Sequence, residues 1–352
     1  MRLNRTVAAF ITLVGISASY ELSSSESDRI AGDFSRADRN SDGRLTSDEW
    51  RRGNFQRLDS SGNGFLELSE VRAMYEGHLE RRTYDWPPIG YDVITVRSSI
   101  TTPDGIVDQD ALDRTTKCAI GRGRKCRPDS AIRRGLIETG LRPQFPADTA
   151  CPGIDDIFAL DYTFKRNRES YHGGIDIPVP WGTPIIAAAS GTVVGIFAGE
   201  NSPRGIEIVI RHSPADTGLP VWVYTAYSHL DVMPPIQVGQ QLKIGQLIGP
   251  TGNSGISGKK RNRQSNRRPA LHFAAVYAET KQYAVFRDIV VPINARWLDP
   301  LSLYRHSMPI DSTSMKALPD DDKVVAVSIV DQNGIASEEK STFVWPYRCS
   351  HG

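Results

Sequence analysis

The sequence predicts a multidomain α+β chain, with a small helical module followed by a mainly antiparallel β sandwich or barrel-like domain. Three observations carry this reading. Two polar, glycine-centred loops flanked by helical apolar spacing lie between Asp38 and Glu70. Short runs rich in Val and Ile recur between Gly and Pro turns from Asp161 to about Tyr304. A length of 352 residues allows two or three domains, each with its own core. Apolar content of 39% and charged content of 24% are ordinary for globular protein. The formal net charge of +1 gives no whole-chain case for binding nucleic acid or a membrane surface.

Residues 1–19 have the layout of a secretory signal peptide. Met1 to Arg5 is basic, Val7 to Ile16 is apolar, and Ser17 to Tyr20 offers small residues for cleavage. The apolar run is short for a membrane span, which needs about 20 residues. No cysteine lies near the cleavage region for lipid attachment, and no later stretch is long and apolar enough to cross a bilayer. The mature chain is therefore expected in the periplasm or outside the cell, without a transmembrane segment. Cys118, Cys126, Cys151 and Cys349 suit an oxidising compartment, and four cysteines allow three pairings. The expectation is a local Cys118–Cys126 loop and a Cys151–Cys349 tie on the C-terminal end, with free buried thiols as the alternative.

Residues 20–82 form the helical module, after a Ser- and acid-rich leader from Leu22 to Asp28. From Arg29, Ile30, Phe34 and Ala37 fall on one helical face. Asp38, Asn40, Asp42 and Thr46 then place oxygen donors at loop positions 1, 3, 5 and 9, with Gly43 at 6 and Glu49 at 12. This is the calcium loop of an EF-hand, in which the Arg44 carbonyl supplies the backbone ligand. The pattern repeats 21 residues on, with Asp59, Ser61, Asn63, the Phe65 carbonyl, Glu67 and Glu70 around Gly64. Ca2+ takes six to eight hard oxygens, and two such loops in tandem supply them twice. Leu45 and Leu66 are expected to pair the loops, and the short connector from Trp50 to Leu58 resembles the compact EF-hands of bacterial exported proteins. The expected role of Ca2+ is a stabilising clip rather than a switch.

Residues 83–160 read as a linker or accessory region. Trp86-Pro87-Pro88 punctuates it, Val93 to Val96 suggests a short strand, and Gly121 to Lys125 is a basic turn between two cysteines. No chemistry is assigned here beyond packing against, or gating, the next domain. That domain, 161–305, holds strand-like runs at Pro184–Ala189, Thr192–Phe197, Ile206–Ile210, Val221–Tyr227, Leu242–Leu247 and Leu271–Tyr277. Residues 306–352 read as a polar tail with one strand-like run, Lys323–Ile329.

The chemistry lies in the β domain. His172-x-x-x-Asp176 is followed by Tyr227-Ser-His229-Leu230, Thr251-Gly-Asn-Ser-Gly255 and Leu271-His272-Phe273. Two imidazoles and one carboxylate make a three-ligand set that suits zinc and leaves a fourth position open. The ordered series over roughly residues 161–280 resembles the lysostaphin-type zinc metallopeptidases, which cut peptide cross-links of bacterial cell walls. The resemblance implies that His172, Asp176 and His272 bind Zn2+ and that His229 is the catalytic histidine. It gives His212 no role, and we read that residue as structural.

One departure is plain. The family ends with His-x-His, whose first histidine is taken as a general base, and this chain has Ala270-Leu271-His272. Alanine carries no proton. Losing a general base typically costs about 10²–10⁴ in rate, less than the whole catalytic effect. The expected function is therefore an exported zinc metalloendopeptidase acting on peptidoglycan or a related peptide substrate. The alternatives are a zinc-bound pseudo-peptidase that binds cell wall or regulates, and a secreted protease acting on proteins. A cationic segment, Lys259, Lys260, Arg261, Arg263, Arg267 and Arg268, precedes the last ligand and would attract an anionic wall polymer.

Overall fold

The computed structural model describes residues 24–50, 55–79, 84, 86–88, 103–122, 126–154, 162–164, 168–199, 202–255, 268–338 and 340–351. The expected signal peptide and the strand expected at Val93–Val96 lie outside the described residues, as does the cationic segment except for Arg268.

The helical module runs α1 (Ser24–Ala37), β1 (Arg44–Leu45), α2 (Phe55–Leu58), β2 (Leu66–Glu67) and α3 (Leu68–Leu79). Ile30, Phe34, Leu45, Trp50, Leu66 and Val71 form its own apolar core. Leu45 stands opposite Leu66 in an antiparallel ladder, as the loop pairing expects. Gly43 and Gly64 have φ of 80° and 81°, a left-handed turn in which an L side chain is strained.

The next segment contributes α4 (Arg114–Gly121), α5 (Pro128–Arg133), β3 (Arg142–Gln144) and β4 (Thr149–Ala150). The β domain follows with β5 (Ile175–Pro178), β6 (Pro184–Ile186), β7 (Gly191–Phe197), β8 (Ile206–His212), α6 (Pro214–Thr217), β9 (Trp222–Leu230), β10 (Gln241–Leu242), β11 (Leu247–Pro250) and β12 (Ala270–Ala278). Short elements complete it: β13 (Tyr283–Val285), β14 (Val290–Pro292), β15 (Arg296–Leu298), α7 (Ser312–Lys316), β16 (Val324–Ala326), β17 (Val330–Asp331) and β18 (Arg348–His351).

The main sheet has the order β10-β7-β8-β9-β12-β15, with β5 also on β12. Every pairing in it is antiparallel. β5 pairs with Ala270–Phe273 and β15 with Ala275–Tyr277, so the two lie end to end along one edge of β12. Strands β8 and β9 bury most residues on both faces, which explains why they read as continuous apolar runs rather than alternating ones. The sheet stays open, since β10 and β15 do not pair among the described residues. The run Leu242–Leu247 divides into β10 and β11 because Gly245, with φ of 77°, turns the chain between them.

One core runs through segments that the sequence sets apart. Leu112, Ala119, Ile120, Leu136 and Leu141 from the accessory region share it with the sheet. So do Phe343, Trp345, Tyr347 and Cys349, all buried, from the stretch read as a polar tail. Val344 N–H donates to the Ala188 carbonyl at 2.8 Å, and Trp345 Nε1 donates to the Pro152 carbonyl at 2.8 Å. These aromatics fall within a few residues, too short a window for periodicity to mark a core element. Both expected disulfides form, Cys118–Cys126 and Cys151–Cys349. The second closes a separation of 198 residues.

Replacing Cys151 and Cys349 together by Ser is expected to lower stability by about 2–5 kcal/mol. Thermal unfolding of parent and variant checks this, and an unchanged midpoint would show that the aromatic packing alone holds the C-terminal stretch.

Candidate functional site

Register in the main sheet builds the site. Asp176 on β5 stands directly opposite His272 on β12. Opposed residues of neighbouring strands point to the same face, so carboxylate and imidazole meet. His172 comes from the loop before β5. Its backbone N–H donates to the Thr163 carbonyl at 3.1 Å, and Gly173 N–H donates to the Tyr162 carbonyl at 2.7 Å.

Two glycines let that loop approach. A Cβ on Gly174 would lie 2.6 Å from His272 Cε1 and 2.7 Å from Nε2. A Cβ on Gly173 would lie 2.1 Å from Arg122 Nη2, and its φ of 75° is left-handed. Arg122, at the end of α4, donates from Nη1 to the carbonyls of Tyr171 and His172 and stacks its guanidinium 4.7 Å from the Trp297 ring centroid. Trp297 Nε1 in turn donates to the Ala119 carbonyl at 3.1 Å.

His172 Nε2, His272 Nδ1 and Asp176 Oδ1 converge. The two nitrogens lie 3.0 and 2.8 Å from Oδ1 and 3.1 Å from each other. If both nitrogens donate to the carboxylate, two N–H groups face each other at that last distance. A cation at the centre removes the conflict, because neutral imidazoles and an ionised carboxylate then all present lone pairs. Zinc bonds of about 2.0–2.2 Å in a tetrahedron put neighbouring ligand atoms roughly 3.3–3.6 Å apart, close to the spacing seen. The residues present fit zinc. Among the described residues this is the one cluster of three such groups with ligand atoms mutually within 4.8 Å.

His229 lies beside this cluster, its ring centroid 6.0 Å from that of His272. It sits at a β-bulge in β9, where the register shifts so that Ile206 pairs with Leu230 and Glu207 with Ser228. Its φ is 73°, unusual for a residue with a side chain. Nδ1 lies 3.0 Å from the Ser254 carbonyl, which only accepts, so Nδ1 carries the proton and Nε2 is the accepting nitrogen of the neutral ring. Ala270 begins β12 on the same face as His272, two residues away, and presents only a methyl group.

His212, read as structural, is wholly buried. Nδ1 meets the Ser190 carbonyl at 2.7 Å and Nε2 meets Thr225 Oγ1 at 2.8 Å. Burial pushes its pKa down to about 4, which keeps it neutral. Arg268 is buried too, so it does not belong to an exposed cationic face.

The residues of the two loops expected to hold calcium form two hydrogen-bonded cradles. Asp38 Oδ2 accepts from Gly43 N–H at 2.8 Å, and Glu49 accepts from the backbone of Thr46, Arg39 and Asn40. Asn40 Oδ1 accepts from Asp42 N–H, and Asp42 Oδ1 from Arg44 N–H. In the second loop Asp59 accepts from Asn63 and Gly64 N–H, Glu70 from Ser61 and Glu67 N–H, and Asn63 from Phe65 N–H. The Thr46 N–H leads in lowering the Glu49 pKa. Partial burial raises that of Glu70, but the Glu67 and Ser61 N–H groups outweigh it and leave it lowered. Both closing glutamates are thus held in the anionic form that a cation needs.

Sequence reasoning did not single out Arg122, Trp297, Thr163, Ser228 or Glu207. Ser228 lay inside the quoted motif Tyr227–Leu230 and Arg122 inside the basic turn Gly121–Lys125, without a role of their own, and Glu207 stands as a lone acid inside the apolar run Ile206–Ile210.

Comparison with known proteins agrees with this geometry. The model of Peptidase family M23 matches residues 170–284, and an EF-hand model matches residues 31–53, the first loop. An uncharacterized metalloprotease of Haemophilus influenzae is 31% identical over 126 residues, which is 32% of this chain and 25% of that protein. The DD-carboxypeptidase/endopeptidase Mpg of Neisseria meningitidis serogroup B is 34% identical over 86 residues, 24% of this chain and 17% of that protein. The chain therefore spans a quarter or less of the length of these relatives. Among solved structures, the catalytic domain of lysostaphin from Staphylococcus simulans is 28% identical, with 32% of this chain and 70% of that chain covered and a TM-score of 0.25.

Gly174→Ala is expected to push the His272 imidazole out of the cluster and weaken zinc binding about 10–100-fold, as loss of a ligand's support typically does. A competitive chelator titration checks this, and parent-like affinity would show that the loop yields without cost.

Proposed function

Since residues 170–284 form a domain of Peptidase family M23, we propose that this protein is an exported zinc metalloendopeptidase that hydrolyses peptide cross-links of bacterial peptidoglycan, with calcium held in its N-terminal module. The convergence of His172 Nε2, His272 Nδ1 and Asp176 Oδ1 carries the reading. Bound zinc would act there as a Lewis acid on the scissile carbonyl.

The chain's own groups do the rest. His172, Asp176 and His272 hold the ion, with Arg122 and the Thr163 carbonyl fixing the His172 loop behind them. His229 is fixed by the Ser254 carbonyl, so its Nε2 is the atom that takes or gives a proton beside the carbonyl undergoing attack. The name of the Neisseria relative, a carboxypeptidase and endopeptidase, supports a peptide bond as the target. The signal-peptide layout of residues 1–19 supports export to where wall is found. No helix among the described residues is long and apolar enough to cross a membrane.

Ala270 favours a second reading, a zinc-bound protein that binds wall without cutting it. Hydrolysis of purified peptidoglycan by the mature chain, beside His172→Ala, separates the two. The parent is expected to release peptide products and the variant to release none. No release by either, with Ala270→His gaining activity, would establish the binding protein instead. A parent that cuts a protein substrate but not wall would move the activity to secreted proteolysis.

Calcium is proposed as a clip on the helical module. Calorimetric titration is expected to show two sites, with Glu49→Gln and Glu70→Gln each removing one. Peptidoglycan hydrolysis by these variants is expected to match the parent; a dependence of rate on calcium would make the module a switch.

A further inference from the structure

Arg122, which holds the His172 loop, lies inside a ring of chain closed by Cys118–Cys126. The ring joins α4 to the turn before α5 and spans a separation of 8 residues. The function proposed above uses neither this bond nor the basic turn inside it. The inference rests on the zinc reading of that function.

Arg122 needs outside support to stay in place. It caps α4, a helix of only 8 residues, in a left-handed conformation with φ of 50°. A residue with a side chain adopts that region rarely, and a helix this short is marginal by itself. Burial and the like charge of Arg204 both oppose the positive guanidinium. Its Nη2 is enclosed and has no hydrogen-bond partner among the described residues. Nη1 donates to the Tyr171 and His172 carbonyls. Trp297 steadies the arrangement, its ring 4.7 Å from the guanidinium and its Nε1 donating to the Ala119 carbonyl of α4. The fit against the His172 loop is close. A Cβ on Gly173, the residue after His172, would lie 2.1 Å from Arg122 Nη2 and 2.7 Å from Trp297 Cη2. A shift of the C-terminal end of α4 therefore passes directly to His172, and the Cys118–Cys126 bond is the covalent restraint on that end.

The two disulfides differ in exposure and surroundings. Cys118 and Cys126 are half-buried, whereas Cys151 and Cys349 are 1% and 0% exposed. A reductant in solution thus reaches the first bond and not the second. Lys117, Lys125 and Arg127 adjoin the two exposed cysteines in sequence, and Arg124 is two residues from Cys126. Cations beside a sulfur stabilise the thiolate that leaves on reduction, which speeds exchange. Accessible disulfides of this kind are the labile ones.

We propose that Cys118–Cys126 is a redox gate on metal loading. The protein holds Zn2+ tightly only when this bond is closed, and Arg122 is the positioning residue that carries the effect to His172. In the opening step a thiolate of a dithiol reductant attacks one sulfur, and the other leaves as a thiolate. The second thiol of the reductant then attacks the mixed disulfide. Two electrons and two protons pass to the protein, which gains two thiols while the reductant becomes a disulfide. Such a gate leaves the hydrolase unloaded until the chain reaches an oxidising compartment.

The test withdraws Zn2+ from the full mature chain, zinc-loaded, with a chromogenic chelator. A second sample is first treated with a dithiol and its thiols are blocked with iodoacetamide. The reductant is removed and zinc restored before titration, so no thiol is left to bind the ion. Mass mapping is expected to find the label on Cys118 and Cys126 alone. The labelled protein is expected to bind Zn2+ about 10–100-fold more weakly than the parent, as loss of a ligand's support typically does. Cys118→Ser/Cys126→Ser is expected to show the same weakening, and so is Arg122→Ala. The three substitutions together are expected to weaken binding no further, because the bond and the arginine act through one contact. Cys151→Ser/Cys349→Ser is the control. It is expected to keep parent-like zinc affinity despite its lower stability, which separates a gate from a general loosening of the fold. If Cys118→Ser/Cys126→Ser does not fold, the labelled parent carries the test.

Parent-like affinity after reduction, a further loss when Arg122→Ala is added, or an equal loss in the control would each overturn the inference. So would a dithiol that leaves Cys118–Cys126 closed or opens Cys151–Cys349 first. A parent that holds zinc, with variants that hold it equally, overturns the inference alone. A parent that binds zinc no better than His172→Ala overturns the zinc reading, and this inference with it.

Discussion

The site depends on the register of β12. Its inner edge meets β9 and its outer edge meets β5, so His272 has Ser228 on one side and Asp176 on the other. A slip of one residue in either ladder would turn His272 to the opposite face and take the imidazole from the carboxylate. The register is held from the other face, where Leu271 and Phe273 are fully buried and Phe273 packs its ring 5.2 Å from that of Tyr227. Hydrophobic packing on one face therefore fixes where polar chemistry stands on the other.

His172 lacks that support, since it precedes β5 rather than lying in it. The accessory region and the end of the sheet supply what the ladder does not. The Thr163 and Tyr162 carbonyls accept from the loop's N–H groups, and Arg122 Nη1 donates to its carbonyls. Tyr162 is anchored in turn, its hydroxyl 2.7 Å from the Gly135 carbonyl. The Arg122 guanidinium lies over the Trp297 ring, and the same indole donates to α4. The segment without a chemical motif thus has a chemical consequence, because it sets the position of one of the three clustered groups.

Much of this was legible in the sequence, and what was not has physical reasons. The His172/Asp176/His272 cluster, His229 and both glycine-centred loops show themselves because oxygen and nitrogen donors at such fixed spacing are rare by chance. The long strands show themselves through runs of Val and Ile. The C-terminal stretch did not, because Phe343-Val344-Trp345-Pro346-Tyr347 is a five-residue apolar run broken by proline, too short to distinguish from a loop. Arg122 did not either: its role depends on Trp297, 175 residues further along the chain, and on a carbonyl of the ligand loop. Glu207 was visible only as an anomaly. An acid within Ile206–Ile210 could have marked an edge strand open to water, and only the pairing of β8 with both β7 and β9 shows that it is enclosed.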